Sequence, residues 1–196
     1  MPPPSSRALW TAKILGKPVR GRKAASIRQA KTLGKCRFRG VVLGIDPSLR
    51  ATGLAVISFK NSENGTLLLS RVVKNKASLS FADCLGEIFK AVDDALSAFP
   101  VEAVALEQTI YVQNFKTAQI LGAARGAAIA AAALRALPVS EYPPLRVKQA
   151  VVGYGQASKE QVARMIGQML ALQGALSFDE TDAAAVALCH AFCFAG

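Results

Sequence analysis

Val41-Val42-Leu43-Gly44-Ile45-Asp46-Pro47-Ser48-Leu49-Arg50-Ala51-Thr52-Gly53 is the stretch on which the fold turns. Five apolar or small residues run into a carboxylate, and Asp-Pro is a common turn start. Val41–Asp46 therefore reads as a buried strand tipped by an acid. Thr52–Phe59 reads as a second strand. Asn64-Gly65 marks another turn and Thr66–Val73 a third strand, so the three predict an antiparallel meander.

A second apolar run ends in the same way. Val101-Glu102-Ala103-Val104-Ala105-Leu106 predicts a fourth strand closed by Glu107. Before it, Leu85, Ile88, Phe89, Val92 and Leu96 keep helical spacing over Phe81–Phe99. After it, Thr117–Leu137 predicts a long helix ending at Pro138, and Val139–Tyr142 a short fifth strand. A basic, glycine-containing segment, Arg146–Gly155, leads to a helix over Lys159–Leu172. The last helix runs from Asp179 to about Phe194. A meander followed by strands alternating with helices indicates an α/β domain with a mixed five-stranded sheet. The strands carrying Asp46 and Glu107 are expected to be neighbours. The last helix would lay Asp179 and Asp182, three residues apart and so on one helical face, across them.

Acids at the ends of buried strands are costly to desolvate unless paired or metal-bound. Four carboxylates with no nearby base suit two Mg²⁺ ions, which prefer oxygen ligands at about 2.0–2.1 Å. Two such ions about 3.5–4 Å apart support phosphodiester cleavage. Lys148 and Lys159 flank Gln149–Ser158 and are candidates for neutralising phosphate charge. Each part also has a plain reading. Asp182 as a helix cap, Asp179 as a turn residue and Glu107 as an ordinary strand end need no chemistry; their conjunction does. Gly153-Tyr154-Gly155 lacks the third glycine and preceding strand of a dinucleotide fingerprint.

The chain has 196 residues and a formal charge of +11, unevenly spread. Eleven Lys and Arg and no acid fall in residues 1–40; the other 13 bases balance the 13 acids of residues 41–196. Residues 1–40 read as a basic, disordered arm preceding a domain over 41–196. The arm is read as phosphate-binding, with a solubilising tail and an organelle transit peptide as alternatives. Cys36, Cys84, Cys189 and Cys193 form no C-x-x-C pair and fit a reducing compartment. Cys189, His190 and Cys193 lack a fourth zinc ligand nearby and read as buried groups in an apolar helix. Ala118–Leu137 is the richest apolar stretch, but alanine contributes little hydrophobicity for a membrane span. A packed core or interface helix is expected, and no membrane association.

Gly44-Ile45-Asp46-Pro47 with Arg50, Thr52 and Gly53 resembles the opening of the RuvC family of Holliday-junction resolvases. Leu106-Glu107-Gln108, Leu121–Gly126, Val147–Lys159 and Asp179-Glu180-Thr181-Asp182-Ala183 resemble its later motifs in order and spacing. The resemblance covers about residues 41–194. It implies a ribonuclease-H-like fold, a homodimer, and symmetric nicking of two opposing strands of four-way junction DNA during recombination and repair. It implies Mg²⁺, two ions per active site with Mn²⁺ as a substitute, held by Asp46, Glu107, Asp179 and Asp182. Lys159 is then a catalytic candidate as well as a DNA contact, and Lys148 and Arg50 lie near DNA. The resemblance also implies partnership with the RuvA–RuvB branch-migration machinery and a cytoplasmic, nucleoid-associated setting. Small residues around Gly122 and Gly126 match the family's dimer region. The family often has glycine at the position of Ser48 and an aromatic residue at that of Ile110. Tyr111 and Phe115 are the aromatic candidates for stacking on an unpaired base.

Three other readings share parts of this pattern: a junction-binding protein without catalysis, a ribonuclease-H-like nuclease for RNA or other branched DNA, and an ATPase of the sugar-kinase and actin type. The first would need a missing acid, and none is missing. The Val147–Lys159 match argues against the second. The third generally needs two such domains around a nucleotide, and this chain has room for one.

Overall fold

A computed structural model describes residues 36–60, 64–108 and 114–194. Strand β1 (Val41–Asp46) pairs antiparallel with β2 (Ala51–Ser58), which pairs antiparallel with β3 (Thr66–Lys74). On its other side β1 pairs in parallel with β4 (Ala103–Glu107), and β4 in parallel with β5 (Val139–Tyr142). The sheet order is β3-β2-β1-β4-β5. The parallel register sets Ile45 beside Leu106, so the strands end together at Asp46 and Glu107.

Side chains alternate along a strand, and this decides which face each acid joins. Val41, Leu43 and Ile45 of β1, with Val104 and Leu106 of β4, join one core. That core is completed by α1 (Phe81–Ala98) and α2 (Phe115–Leu134). Val42 and Ala103 and Ala105 join the opposite core, under α3 (Pro144–Val152), α4 (Lys159–Met169) and α5 (Phe178–Cys193). Asp46 and Glu107 continue this second alternation and so face α5.

Helix α5 lies across β1 and β2 in close contact. A Cβ at Gly44 would collide with the Ala183 carbonyl oxygen, and one at Gly53 with the Asp179 carbonyl oxygen. Glycine in these strands thus admits another backbone. The start of α5 is fixed by a capping box: Glu180 N donates to Ser177 Oγ (3.4 Å), and Ser177 N donates to Glu180 Oε2 (2.9 Å). The cap is Ser177, which leaves Asp182 outside capping.

Where the structure has α3, the sequence predicts a basic segment, Arg146–Gly155, and no helix. Proline is compatible with a first helical turn, and Pro144 opens α3. Gly153, at φ 91°, ends it in the left-handed conformation, so the G-x-G pair begins with a helix stop. The folded domain also begins before Val41. Cys36 and Phe38 are buried, and Arg37 N donates to the Ala191 carbonyl oxygen at 2.8 Å. The sequence assigns this stretch to the basic arm because apolar Cys36 and Phe38 sit among Lys35, Arg37 and Arg39.

By length and a mean hydropathy of 1.3, α2 is long and apolar enough to cross a membrane, with 22% of that window buried. It packs on α1, and Ala124, Ala128, Ala131 and Ala132 are its buried residues. Cys189 and His190 are buried in α5, with Tyr142 Oη 3.0 Å from His190 Nδ1.

Candidate active site

The turn after Asp46 is tied from both sides. Ser48 N donates to Thr52 Oγ1 at 3.1 Å, and Thr52 Oγ1 donates to the Ser48 carbonyl oxygen at 2.5 Å. Asn75 Nδ2 donates to the Leu49 carbonyl oxygen at 2.8 Å. The strand end is thereby held in place, and with it the carboxylate.

Asp46, Glu107, Asp182, Lys148 and Lys159 line one pocket of about 300 Å³. Pro144, Val147, Val162 and Ala185 complete its walls. Burial, then the charges of Glu107, Asp182 and Asp179, push the Asp46 carboxyl up to about 7. Burial, then Asp182, raises that of Glu107. Two acids that resist ionisation beside a third describe a place short of positive charge. Asp179 stands outside the pocket lining, one turn before Asp182, and acts on Asp46 through its charge.

Lys159 supplies part of the missing charge. Its ammonium donates to Asp182 Oδ2 at 3.0 Å, and this bond raises its pKa. It sits at the first position of α4, after the cap Ser158, where the helix dipole disfavours a cation. The acids across the pocket account for it.

Among the described residues, no three His, Cys, Asp or Glu side chains gather into a ready metal-ligand group. In α5, Cys189 and His190 are buried and Cys193 is half-buried. The acid pocket nevertheless fits a hard divalent cation by donor type, because all its anionic donors are carboxylates. Its depressed ionisation is what a nearby cation would relieve.

The other sequence candidates lie elsewhere. Arg50 lines a separate groove on the α1–α2 face, and its Nη1 donates to the Lys76 carbonyl oxygen at 2.6 Å. Phe115, at the start of α2, is 76% exposed. Tyr111 and Ile110 lie outside the described residues. The apolar pocket residues, and Gly44 and Gly53 as spacers for α5, had no part in the sequence-level assignment of the site. Glycine inside an otherwise apolar strand was the available signal.

This sheet order, with an acid-lined pocket at the carboxyl ends of the paired strands β1 and β4, defines a ribonuclease-H-like domain. The family model described as crossover junction endodeoxyribonuclease RuvC matches residues 42–190. Crossover junction endodeoxyribonuclease RuvC of Coxiella burnetii is 40% identical over 153 residues, 78% of this chain and 88% of that protein. That of Neisseria meningitidis is 42% identical over 150 residues, 76% and 84% of the two chains. The structure of Thermus thermophilus RuvC in complex with Holliday junction substrate superposes with a TM-score of 0.74 at 38% identity, covering 79% of this chain and 94% of that one. The chain belongs to the RuvC family of crossover junction endodeoxyribonucleases.

Proposed function

We propose that this protein is a metal-dependent endonuclease that nicks two opposing strands of a four-way DNA junction. Asp46, Glu107, Asp179 and Asp182 would hold two Mg²⁺ ions, with Mn²⁺ as a substitute. The observation that carries the reading is the sharing of one pocket by Asp46, Glu107, Asp182, Lys148 and Lys159. When bound, divalent ions supply Lewis-acid stabilisation of phosphoryl oxygens and an acidified water.

The chain's own residues do the placing. Parallel pairing of β1 and β4 fixes Asp46 beside Glu107, and α5 brings Asp182 to them across Gly44 and Gly53. Lys148 and Lys159 put two cations where a phosphodiester would enter. Such preorganised charge acts most strongly in a partly desolvated site. Lys159 has a carboxylate partner in Asp182 when no phosphate is present, so its ammonium is held at the pocket before substrate arrives.

Cutting two opposing strands requires two such pockets, and a homodimer supplies them. Helix α2 is the surface proposed for it. A Cβ at Gly122 or Gly126 would meet nothing within 4 Å, so neither glycine is required by packing inside the chain. Both leave room for a second helix to approach closely.

The test is a nicking assay on a labelled synthetic four-way junction, in Mg²⁺, Mn²⁺ or EDTA. The wild type should cut opposing strands in either ion and neither strand in EDTA. Asp46→Asn should bind the junction and lose more than about 10³-fold in nicking rate. Undiminished nicking by Asp46→Asn would overturn the assignment.

A further inference from the structure

Helices α4 and α5 are in contact, and each is started by the same device. Ser158 and Gln161 form a capping box at α4, as Ser177 and Glu180 do at α5. The first residues of the two helices are therefore Lys159 and Phe178, and their side chains meet. Lys159 Nζ lies over the Phe178 ring, 5.8 Å from its centroid, within the reach of about 6 Å over which the face of an aromatic ring attracts a cation. The same ammonium donates to Asp182 Oδ2 at 3.0 Å. Phe178 and Asp182 are four residues apart on α5 and so share one helical face. That face presents a ring and a carboxylate to one cation at the edge of the acid pocket. Phe178 is otherwise without a packing role: it is 49% exposed and belongs to neither core of the domain.

The aim of Lys159 matters because it lines the pocket with Asp46, Glu107 and Asp182. Its side chain is 59% exposed. A lysine head on a long flexible stem spreads over many rotamers unless partners confine it. Asp182 and Phe178 both do so, but they differ in what else is asked of them. Asp182 is among the acids proposed to hold metal, and a carboxylate shared with a cation loosens its hold on an ammonium. The ring has no such second demand. Its hold on the ammonium is the same whether the carboxylate is free or engaged.

We propose that Phe178 is a positioning residue for nicking, a role that rests on the nuclease function proposed above. Its ring keeps the Lys159 ammonium turned to the pocket while Asp182 is engaged elsewhere. Phe178 acts through Lys159 and not by touching DNA, so its aromatic face is required and its bulk is not. A cation held over an aromatic ring at an exposed site corresponds to about two- to five-fold in an equilibrium or a rate. The loss falls on the chemical step of the bound junction, because Lys159 is aimed at the pocket where that step occurs.

The experiment compares full-length wild type with Phe178→Leu, which keeps an apolar side chain without a ring, and Phe178→Tyr, which keeps the ring. The position is half-exposed and outside both cores, so both variants should fold. In EDTA, the NMR signals of the Lys159 ε-methylene protons, identified by their loss in Lys159→Arg, report the contact directly, since protons over a ring face resonate upfield. Junction affinity is read in EDTA as well, and single-turnover nicking in Mg²⁺ at saturating junction. Wild type and Phe178→Tyr should show the upfield signals and nick alike. Phe178→Leu should return the signals to the ordinary lysine position, nick about two- to five-fold more slowly and bind the junction as tightly as wild type. Lys159 signals unchanged by Phe178→Leu would mean that the ring does not hold the ammonium. Nicking by Phe178→Leu at the wild-type rate, or equal slowing in Phe178→Tyr, would overturn the proposal and leave the nuclease reading standing. A loss confined to affinity would make Phe178 a DNA contact and overturn it as well. A wild type that does not nick would sink both readings.

Discussion

The two faces of the sheet are built on opposite plans. On one, α5 buries Thr181 and every residue from Ala183 to Phe192, and its backbone rests on glycine. On the other, α2 is longer yet buries four alanines. A helix sealed on most sides cannot shift without opening the core, and this one carries Asp179 and Asp182. A helix resting on a narrow alanine stripe keeps its remaining surface for other molecules. The first face holds acids in register; the second offers a groove and an unfilled glycine pair.

The sharpest way to break this contrast is to add one methyl group to the sealed face. Gly44→Ala and Gly53→Ala each place a Cβ into the backbone of α5, which cannot yield as a flexible side chain would. The expected cost is about 3 kcal/mol, at the upper end for overpacking, measured by urea unfolding. Nicking should fall with it even at temperatures where the variant is folded, because α5 must lift and carry Asp182 from Glu107. Wild-type stability and nicking in both variants would mean that the close approach of α5 is not what places the acid.

The same face should show a pH signature of its crowded acids. In metal-free protein the folded pKa of Asp46, about 7, lies above its value of 3.8 in a free chain. The folded state therefore binds more protons between these limits, and stability falls as pH rises through them. The stabilisation is fully present below about pH 4 and lost by the time pH has passed 7. Asp46→Asn removes the ionisable group. In EDTA at pH 8 it should raise unfolding free energy by on the order of 1–3 kcal/mol, and it should flatten the slope between pH 4 and 7. A variant no more stable than wild type at pH 8 would show that the acids do not strain one another in the ion-free fold.

Much of this was legible in the sequence, for identifiable reasons. The strands of the meander and the Asp46–Glu107 pairing follow from apolar runs closed by acids, a pattern that survives without tertiary knowledge. The position of Asp182 on the pocket follows from helical spacing. Besides the start of the domain at Cys36 and Phe38, which the surrounding bases concealed, three things were hidden. Helix α3 was masked by Pro143-Pro144, since local breaker signals do not say whether a proline opens a helix or ends one. The division between Asp179 and Asp182 depends on the angle at which α5 crosses the sheet, which no spacing rule supplies. Arg50 belongs to the opposite face from Asp46 because the turn between them passes over the ends of β1 and β2, a three-dimensional fact that a separation of four residues does not reveal.

The open face gives the smallest expected effect, and its sign is the informative part. Gly122 lies inside α2 with empty space where a side chain would go. Within the single chain Gly122→Ala should therefore be favourable, by about 0.5–1 kcal/mol, through helix propensity and a less flexible unfolded state. If a second α2 packs there, the added methyl instead separates the helices, and the gain is replaced by weaker self-association. Thermal unfolding at low and high protein concentration distinguishes these cases. Stabilisation at low concentration that shrinks or reverses at high concentration is the expected outcome, since subunit association contributes to apparent stability only when the dimer is populated. A uniform gain across concentrations would leave α2 an exposed helix with no partner on that face, and the pairing of active sites would have to come from another surface.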